Sequence, residues 1–66
     1  MSVNVGDVVR FKSEGSKGEL GRVCKDNGIS VCVHFKASGC LRVLKDDLEA
    51  TAGKAPECSA ECKEDC

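Results

Sequence analysis

Apolar and polar residues alternate through most of the first 51 positions of this chain, with the two-residue period of strands that have one buried face. We predict strands at residues 8–12, 20–24, 29–35 and 40–44. Between them, residues 13–18, 26–28 and 37–39 have the glycines and polar side chains of loops and tight turns. Residues 45–49 predict one helical turn before a short closing strand. Four or five short strands of this kind are typical of a small, mainly β barrel.

The third predicted strand alternates most clearly, and its pattern predicts which side chains face the core. Its core face would carry Ile29, Val31, Val33 and Phe35. The same reasoning assigns further core positions to Val9, Phe11, Val23, Leu41 and Val43. The opposite parity directs Cys24, Cys32 and Cys40 outward, so that three consecutive strands each present one cysteine on a shared outer face.

This facing depends on the lengths of two turns. Three-residue turns that end at Gly28 and Gly39, with each glycine left-handed, preserve the parity of all three strands. That register gives two cross-strand pairs, Val23 with Val31 and Phe35 with Leu41. A two-residue turn at 27–28 would instead place Cys24 on the core side.

Residues 52–66, which we call the tail, differ in composition because they contain no Val, Ile, Leu or Phe. Pro56 suits the first turn of a helix. Cys58, Cys62 and Cys66 recur every four residues, and such positions lie above one another on a helix. We therefore expect a barrel at 1–51, followed at 52–66 by a linker and a short cysteine-bearing helix or arm packed on the barrel.

Four segments of the first zone share a pattern known from a family of small barrels. They are residues 5–11 (VGDVVRF), 18–23 (GELGRV), 31–35 (VCVHF) and 44–49 (LKDDLE). This pattern resembles the SH3-like barrels of the KOW type, and the small barrels of photosynthetic and nitrogen-fixation accessory proteins look similar. The resemblance covers residues 5–51 and implies a five-stranded SH3-like barrel. Such barrels serve in ribosome binding, subunit docking and electron-transfer scaffolding, and the tail has no counterpart in the pattern.

The six cysteines predict a disulfide framework. A chain of 66 residues with two Phe and neither Trp nor Tyr has a small core, and disulfides or structural metals commonly stabilise such domains. We predict three disulfides, each of which joins a strand cysteine to a tail cysteine. The strand cysteines are Cys24, Cys32 and Cys40, and the tail cysteines are Cys58, Cys62 and Cys66. The strand cysteines could pair with the tail cysteines in parallel or in antiparallel order, and the sequence does not choose between them. Disulfides imply an oxidising compartment, although the first residues show no signal-peptide pattern.

Metal binding is the alternative role for these cysteines. Thiolates bind zinc and copper, and His34 would lie on the same face as Cys32. The C-x₂-C knuckle of many structural zinc sites is missing from the sequence. A further interpretation leaves the thiols free and redox-active beside Arg22, Lys25 and Arg42. If the cysteines form disulfides, we expect no cofactor.

Composition and motifs favour a non-enzymatic module. His34 is the sole histidine and no nucleophile motif accompanies it, so we expect no catalysis. A net charge of −1 argues against strong nucleic-acid binding, and a KOW-like nucleic-acid binder is kept as a weaker alternative. The sequence has no apolar run long enough for a membrane span.

We therefore predict a monomer that binds a protein partner. The contact surface would combine the loop at 13–18 with basic side chains of the neighbouring strands. These basic residues are Arg10, Lys12, Lys17, Arg22, Lys36 and Arg42. Acidic residues lie among them, which is equally typical of an ordinary solvated surface.

Overall fold

The computed structural model describes residues 3–60 and 62, and it confirms the mainly β prediction. The strands are β1 (Val8–Phe11), β2 (Gly21–Asp26), β3 (Ser30–Phe35), β4 (Gly39–Leu44) and β5 (Leu48–Ala50). They form one antiparallel sheet in the order β4-β3-β2-β1-β5. The sheet is open, because its end strands β4 and β5 are not paired with each other. Short 3-10 turns occupy Gly15–Lys17 and Lys45–Asp47.

One face of the sheet buries a small core that is aliphatic apart from two aromatic rings. The fully buried core side chains are Val9, Val23, Val31, Val33 and Phe35, and Val3, Val43 and Leu48 are nearly so. The Phe11 ring stacks on the Phe35 ring, with the two centroids 5.2 Å apart. The predicted alternation is therefore confirmed for the middle of the sheet. Ile29 is an exception, because 80% of its surface is exposed.

The β2–β3 turn explains why Ile29 lies outside the core. The Asn27 N–H donates a hydrogen bond to the Ser30 carbonyl at 2.8 Å, which encloses a two-residue loop of Gly28 and Ile29. Gly28 has a φ of 95°, a left-handed conformation that glycine adopts without a steric penalty. The three-residue turn predicted here is therefore wrong, and Ile29 belongs to the loop.

A β-bulge at Cys24 restores the facing that the short turn would have reversed. Near the turn, Lys25 pairs with Cys32, but one step further along Val23 pairs with Val33. Cys24 is the extra residue between these pairs, and such an insertion resets the alternation. Val23 consequently faces Val33, and the predicted pairing with Val31 is wrong. Without the bulge, Cys24 would have faced the core.

The β3–β4 hairpin also differs from the predicted register, but its parity is preserved. Phe35 pairs with Gly39 rather than with Leu41, and Leu41 pairs with Val33. The difference moves every β4 residue by two positions, so each side chain keeps its predicted face. Cys40 accordingly lies on the outer face, directly opposite His34. Leu41 is on the core side at the sheet edge and remains 36% exposed.

The described part of the tail is not a helix that starts at Pro56. Residues 54–59 have no regular secondary structure, and helical conformation is found at Ala60 and Cys62. The Cys62 N–H donates to the Ser59 hydroxyl oxygen at 3.2 Å, in the manner of a helix N-cap. Cys58 therefore precedes the helical conformation, and it does not share a helix face with Cys62. Residues 61 and 63–66, including Cys66, lie outside the described residues.

Candidate functional site

Two disulfides fasten the tail to the outer face of the sheet. Cys24 of β2 is bonded to Cys58 with a Cα–Cα distance of 5.6 Å, and Cys40 of β4 is bonded to Cys62 at 5.3 Å. Both distances are ordinary for disulfides. Each bond joins a strand cysteine to a tail cysteine, so the tail crosses from β2 to β4.

The pairing follows neither of the two regular orders. A parallel order and an antiparallel order would both join Cys62 to Cys32, whereas the structure joins Cys62 to Cys40. Cys32 is fully buried on the outer side of β3, between the strands to which the tail is bonded. None of the cysteines in the described ranges is a free thiol.

Hydrogen bonds reinforce this attachment between the two bridges. Arg22 and His34 lie opposite each other on β2 and β3. The Arg22 Nε–H donates to the Pro56 carbonyl at 3.3 Å, and the His34 Nδ1–H donates to the Glu57 carbonyl at 2.6 Å. These carbonyls are therefore engaged by side chains and do not begin a helix, which explains the later start at Ser59. Arg22 Nη1 also donates to the Gly6 carbonyl at 3.1 Å.

The predicted basic surface is divided among separate contacts. Arg10 forms an ion pair with Glu49 of β5, with an N–O distance of 2.6 Å. Arg42 lies three strands away on β4 and donates to the Ser30 hydroxyl at 3.4 Å. The Arg22 side chain is hydrogen-bonded to the tail at Pro56. The side chains of Lys12, Lys17 and Lys36 are exposed.

Another ion pair lies at the β2–β3 turn. The Lys45 ammonium is 2.9 Å from an Asp26 carboxylate oxygen, and the Gly28 N–H donates to the same carboxylate. The Gly28 hydrogen bond and the Lys45 contact together lower the pKa of Asp26 below its ordinary value of 3.8. The pair fixes the turn against the end of β4.

Beside this turn, the open edge of β4 presents apolar side chains to solvent. Leu41 and Leu44 are 36% and 51% exposed, and Ile29 lies next to Leu44, since the Lys45 N–H donates to the Ile29 carbonyl. We call Ile29, Leu41 and Leu44 the β4 edge patch. Within the described ranges no strand pairs with the outer side of β4. The sequence pattern predicted that Ile29 and Leu41 are core residues. Their exposure was missed because it depends on turn length and strand order, which the alternation does not show.

Comparisons with protein families, with curated proteins and with solved structures found no match to this chain. With the cysteines joined as disulfides, no group of three or more His, Cys, Asp or Glu side chains is assembled to hold a metal in the described part of the chain. No helix there has the length and apolar character required to cross a membrane.

Proposed function

We propose that this protein is a non-enzymatic interaction module that binds an extended segment of a partner protein along β4. The observation that carries the proposal is the β4 edge patch beside six residues of open strand. An open edge offers backbone N–H and C=O groups to an added strand, and alternate side chains supply specificity. The other edge, β5, has three residues, and its Glu49 is tied to Arg10.

The side chains along β4 define the chemistry of the partner. Leu41 points to the core side, while Arg42 and Leu44 point to the outer side. Arg42 is exposed, and its Nε–H donates to the neutral Ser30 hydroxyl at 3.4 Å, so its positive charge faces solvent. A complementary strand would place apolar side chains against Leu41 and Leu44 and a carboxylate against Arg42.

The proposed scaffold is an SH3-like fold that is left open between β4 and β5 and is held by three disulfides. The strand order, with β5 returning beside β1, and the 3-10 turn directly before β5 support this fold. The third bridge would join Cys32 to Cys66, the two cysteines left after the Cys24–Cys58 and Cys40–Cys62 bonds. Staples compensate for the small core and keep β4 rigid, which reduces the entropy lost when a partner binds.

Backbone NMR of the oxidised protein tests the proposal. The probe is a synthetic six-residue peptide that alternates valine and threonine with one central glutamate, with a lysine version as its charge control. We expect the glutamate peptide to shift the amide signals of residues 40–45, and Leu44→Lys to weaken this binding. Val5→Lys is the matched control, because Val5 is 58% exposed and lies outside β4.

Three results would contradict the proposal. The first is a set of shifted signals that lies away from β4, and the second is an equal loss of binding in Leu44→Lys and Val5→Lys. The third is concentration-dependent dimerisation in sedimentation experiments that Leu44→Lys abolishes, since the occupant of the edge would then be a second copy of this chain.

A further inference from the structure

Cys32, His34 and Cys40 lie on the outer face of β3 and β4, where the tail is attached through Cys62. His34 is directly opposite Cys40 in the ladder, and residues so placed have Cα atoms roughly 4.5–5.5 Å apart. Cys32 precedes His34 by two residues on the same face, a separation of roughly 6–7 Å along a strand. The sulfur of Cys62 is bonded to that of Cys40, which brings a fourth potential ligand to the same place.

The hydrogen bond of His34 is the second observation that points to a ligand. Its Nδ1–H donates to the Glu57 carbonyl at 2.6 Å, so the lone pair of the neutral ring is on Nε2. Metal-ligating histidines characteristically donate their other ring N–H to a backbone carbonyl or carboxylate in this way. The hydrogen bond thus orients the ring and leaves Nε2 as the nitrogen that a metal would bind.

We propose that the reduced form of this protein binds one Zn²⁺ through Cys32, Cys40, Cys62 and His34. In the oxidised form the sulfurs are bonded to other sulfurs and offer no thiolate. A dithiol reductant supplies two electrons and two protons to each disulfide, yielding two cysteine thiols while the reductant itself becomes a disulfide. Zinc then displaces the protons of the three thiols, and the imidazole completes a Cys₃His set of the kind found in closed structural zinc sites.

The consequence is that the tail has two alternative attachments to the sheet. When oxidised, the Cys40–Cys62 bond holds it to β4. When reduced, the zinc ion would link the same two residues to Cys32 and His34. The bridge between Cys24 and Cys58 lies on β2 and takes no part in the proposed site, which makes it the natural control.

The test uses the full chain, reduced with a phosphine under anaerobic conditions and freed of metal with a chelator. Zn²⁺ is titrated against a competing chromophoric chelator, and Co²⁺ serves as the spectroscopic probe. We expect one metal per chain, a thiolate-to-cobalt charge-transfer band and the ligand-field bands of tetrahedral cobalt. His34→Gln is expected to weaken zinc binding by on the order of 10–100-fold and to change the cobalt ligand-field bands.

The double variant Cys24→Ala/Cys58→Ala is the control and is expected to retain wild-type zinc affinity. The proposal is overturned if the reduced wild-type chain binds no zinc, or if His34→Gln leaves both the affinity and the cobalt spectrum unchanged. Loss of zinc binding in the Cys24→Ala/Cys58→Ala control would overturn it as well. Because the cobalt spectrum reports the ligands directly, it decides the outcome even where reduction unfolds the metal-free chain. Peptide binding along β4 is measured on the oxidised protein, so the two proposals fail independently.

Discussion

Arg22 and His34 are cross-strand partners on β2 and β3, and each donates a hydrogen bond to the backbone of the tail. The acceptors are the consecutive carbonyls of Pro56 and Glu57, immediately before the Cys24–Cys58 bridge. One pair of side chains in the sheet therefore fixes two successive peptide groups of the tail. This relationship leads to the first prediction.

Replacing Arg22 by alanine should lower the free energy of unfolding by about 1.5–3 kcal/mol, because the guanidinium makes charge-assisted hydrogen bonds to the Pro56 and Gly6 carbonyls. Denaturant unfolding of the oxidised protein measures the change. Lys12→Ala is the control, and we expect a change within about 0.5 kcal/mol there, since Lys12 is exposed. Equal effects of the two variants would show that the contacts of Arg22 with the tail contribute no stability.

The two disulfides predict a definite peptide map. Proteolysis under non-reducing conditions should yield linked peptides that contain Cys24 with Cys58 and Cys40 with Cys62. The proposed third bridge adds a linked pair of Cys32 and Cys66. Mass spectrometry before and after reduction identifies each pair, and a peptide that links Cys32 to Cys62 would contradict the arrangement.

Removing either described bridge should destabilise the protein by a similar amount. The Cys24–Cys58 and Cys40–Cys62 bonds span 34 and 22 residues, and the loop-closure entropy changes slowly with length. We expect the double alanine variant of each pair to lose about 2–4 kcal/mol in the free energy of unfolding. Thermal and denaturant unfolding of both variants tests this, and no loss in either one would mean that its bridge does not constrain the unfolded chain.

Gly21 is the position where added volume should be most costly. A Cβ atom there would lie 2.5 Å from Val33 Cγ1 and 2.8 Å from the Phe35 ring, in the fully buried core. We expect Gly21→Ala to destabilise the fold by about 1–3 kcal/mol through overpacking. Gly18→Ala is the matched control, because its Cβ would come no closer than 3.0 Å to the exposed Glu14 side chain and lies outside the core. A smaller loss in Gly21→Ala than in Gly18→Ala would contradict this packing.

The ion pair at the β2–β3 turn predicts an acid-dependent loss of stability. The Gly28 hydrogen bond and Lys45 lower the pKa of Asp26 in the folded protein, so its carboxylate stabilises the fold at pH values above the ordinary pKa of 3.8. This contribution is lost as the pH falls below 3.8 through the depressed value. NMR titration of the Asp26 carboxyl measures the pKa, and Lys45→Ala should move it back toward 3.8. An unchanged pKa in that variant would exclude a contribution from Lys45.

Strand positions could be predicted because a sheet with one buried face imposes a period of two on the sequence. The alternation through Val31, Val33 and Phe35 marks β3 correctly, and parity alone directs Cys40 outward. Register was not predictable from this period. The segment around Gly28 is compatible with loops of two or three residues, and the bulge at Cys24 has no marker in the pattern.

The candidate site was less accessible to sequence reasoning, because it depends on contacts between distant segments. The tail was predicted to form a helix from Pro56, but Arg22 and His34 capture the carbonyls that would begin it. The β4 edge patch arises because β4 is the last strand of the sheet. Local alternation places Leu41 on the core side and gives no information about which strand lies at an edge.

The Cys24–Cys58 and Cys40–Cys62 bonds also interleave along the chain, since Cys40 lies inside the loop closed by the Cys24–Cys58 bond and Cys62 lies beyond that loop. A protease that cuts once anywhere between Cys24 and Cys62 therefore leaves two pieces that are still joined covalently by at least one bridge. Between Cys40 and Cys58, both bridges span the cut. Nicked molecules of this protein would keep their full covalent continuity until a reductant separates the fragments.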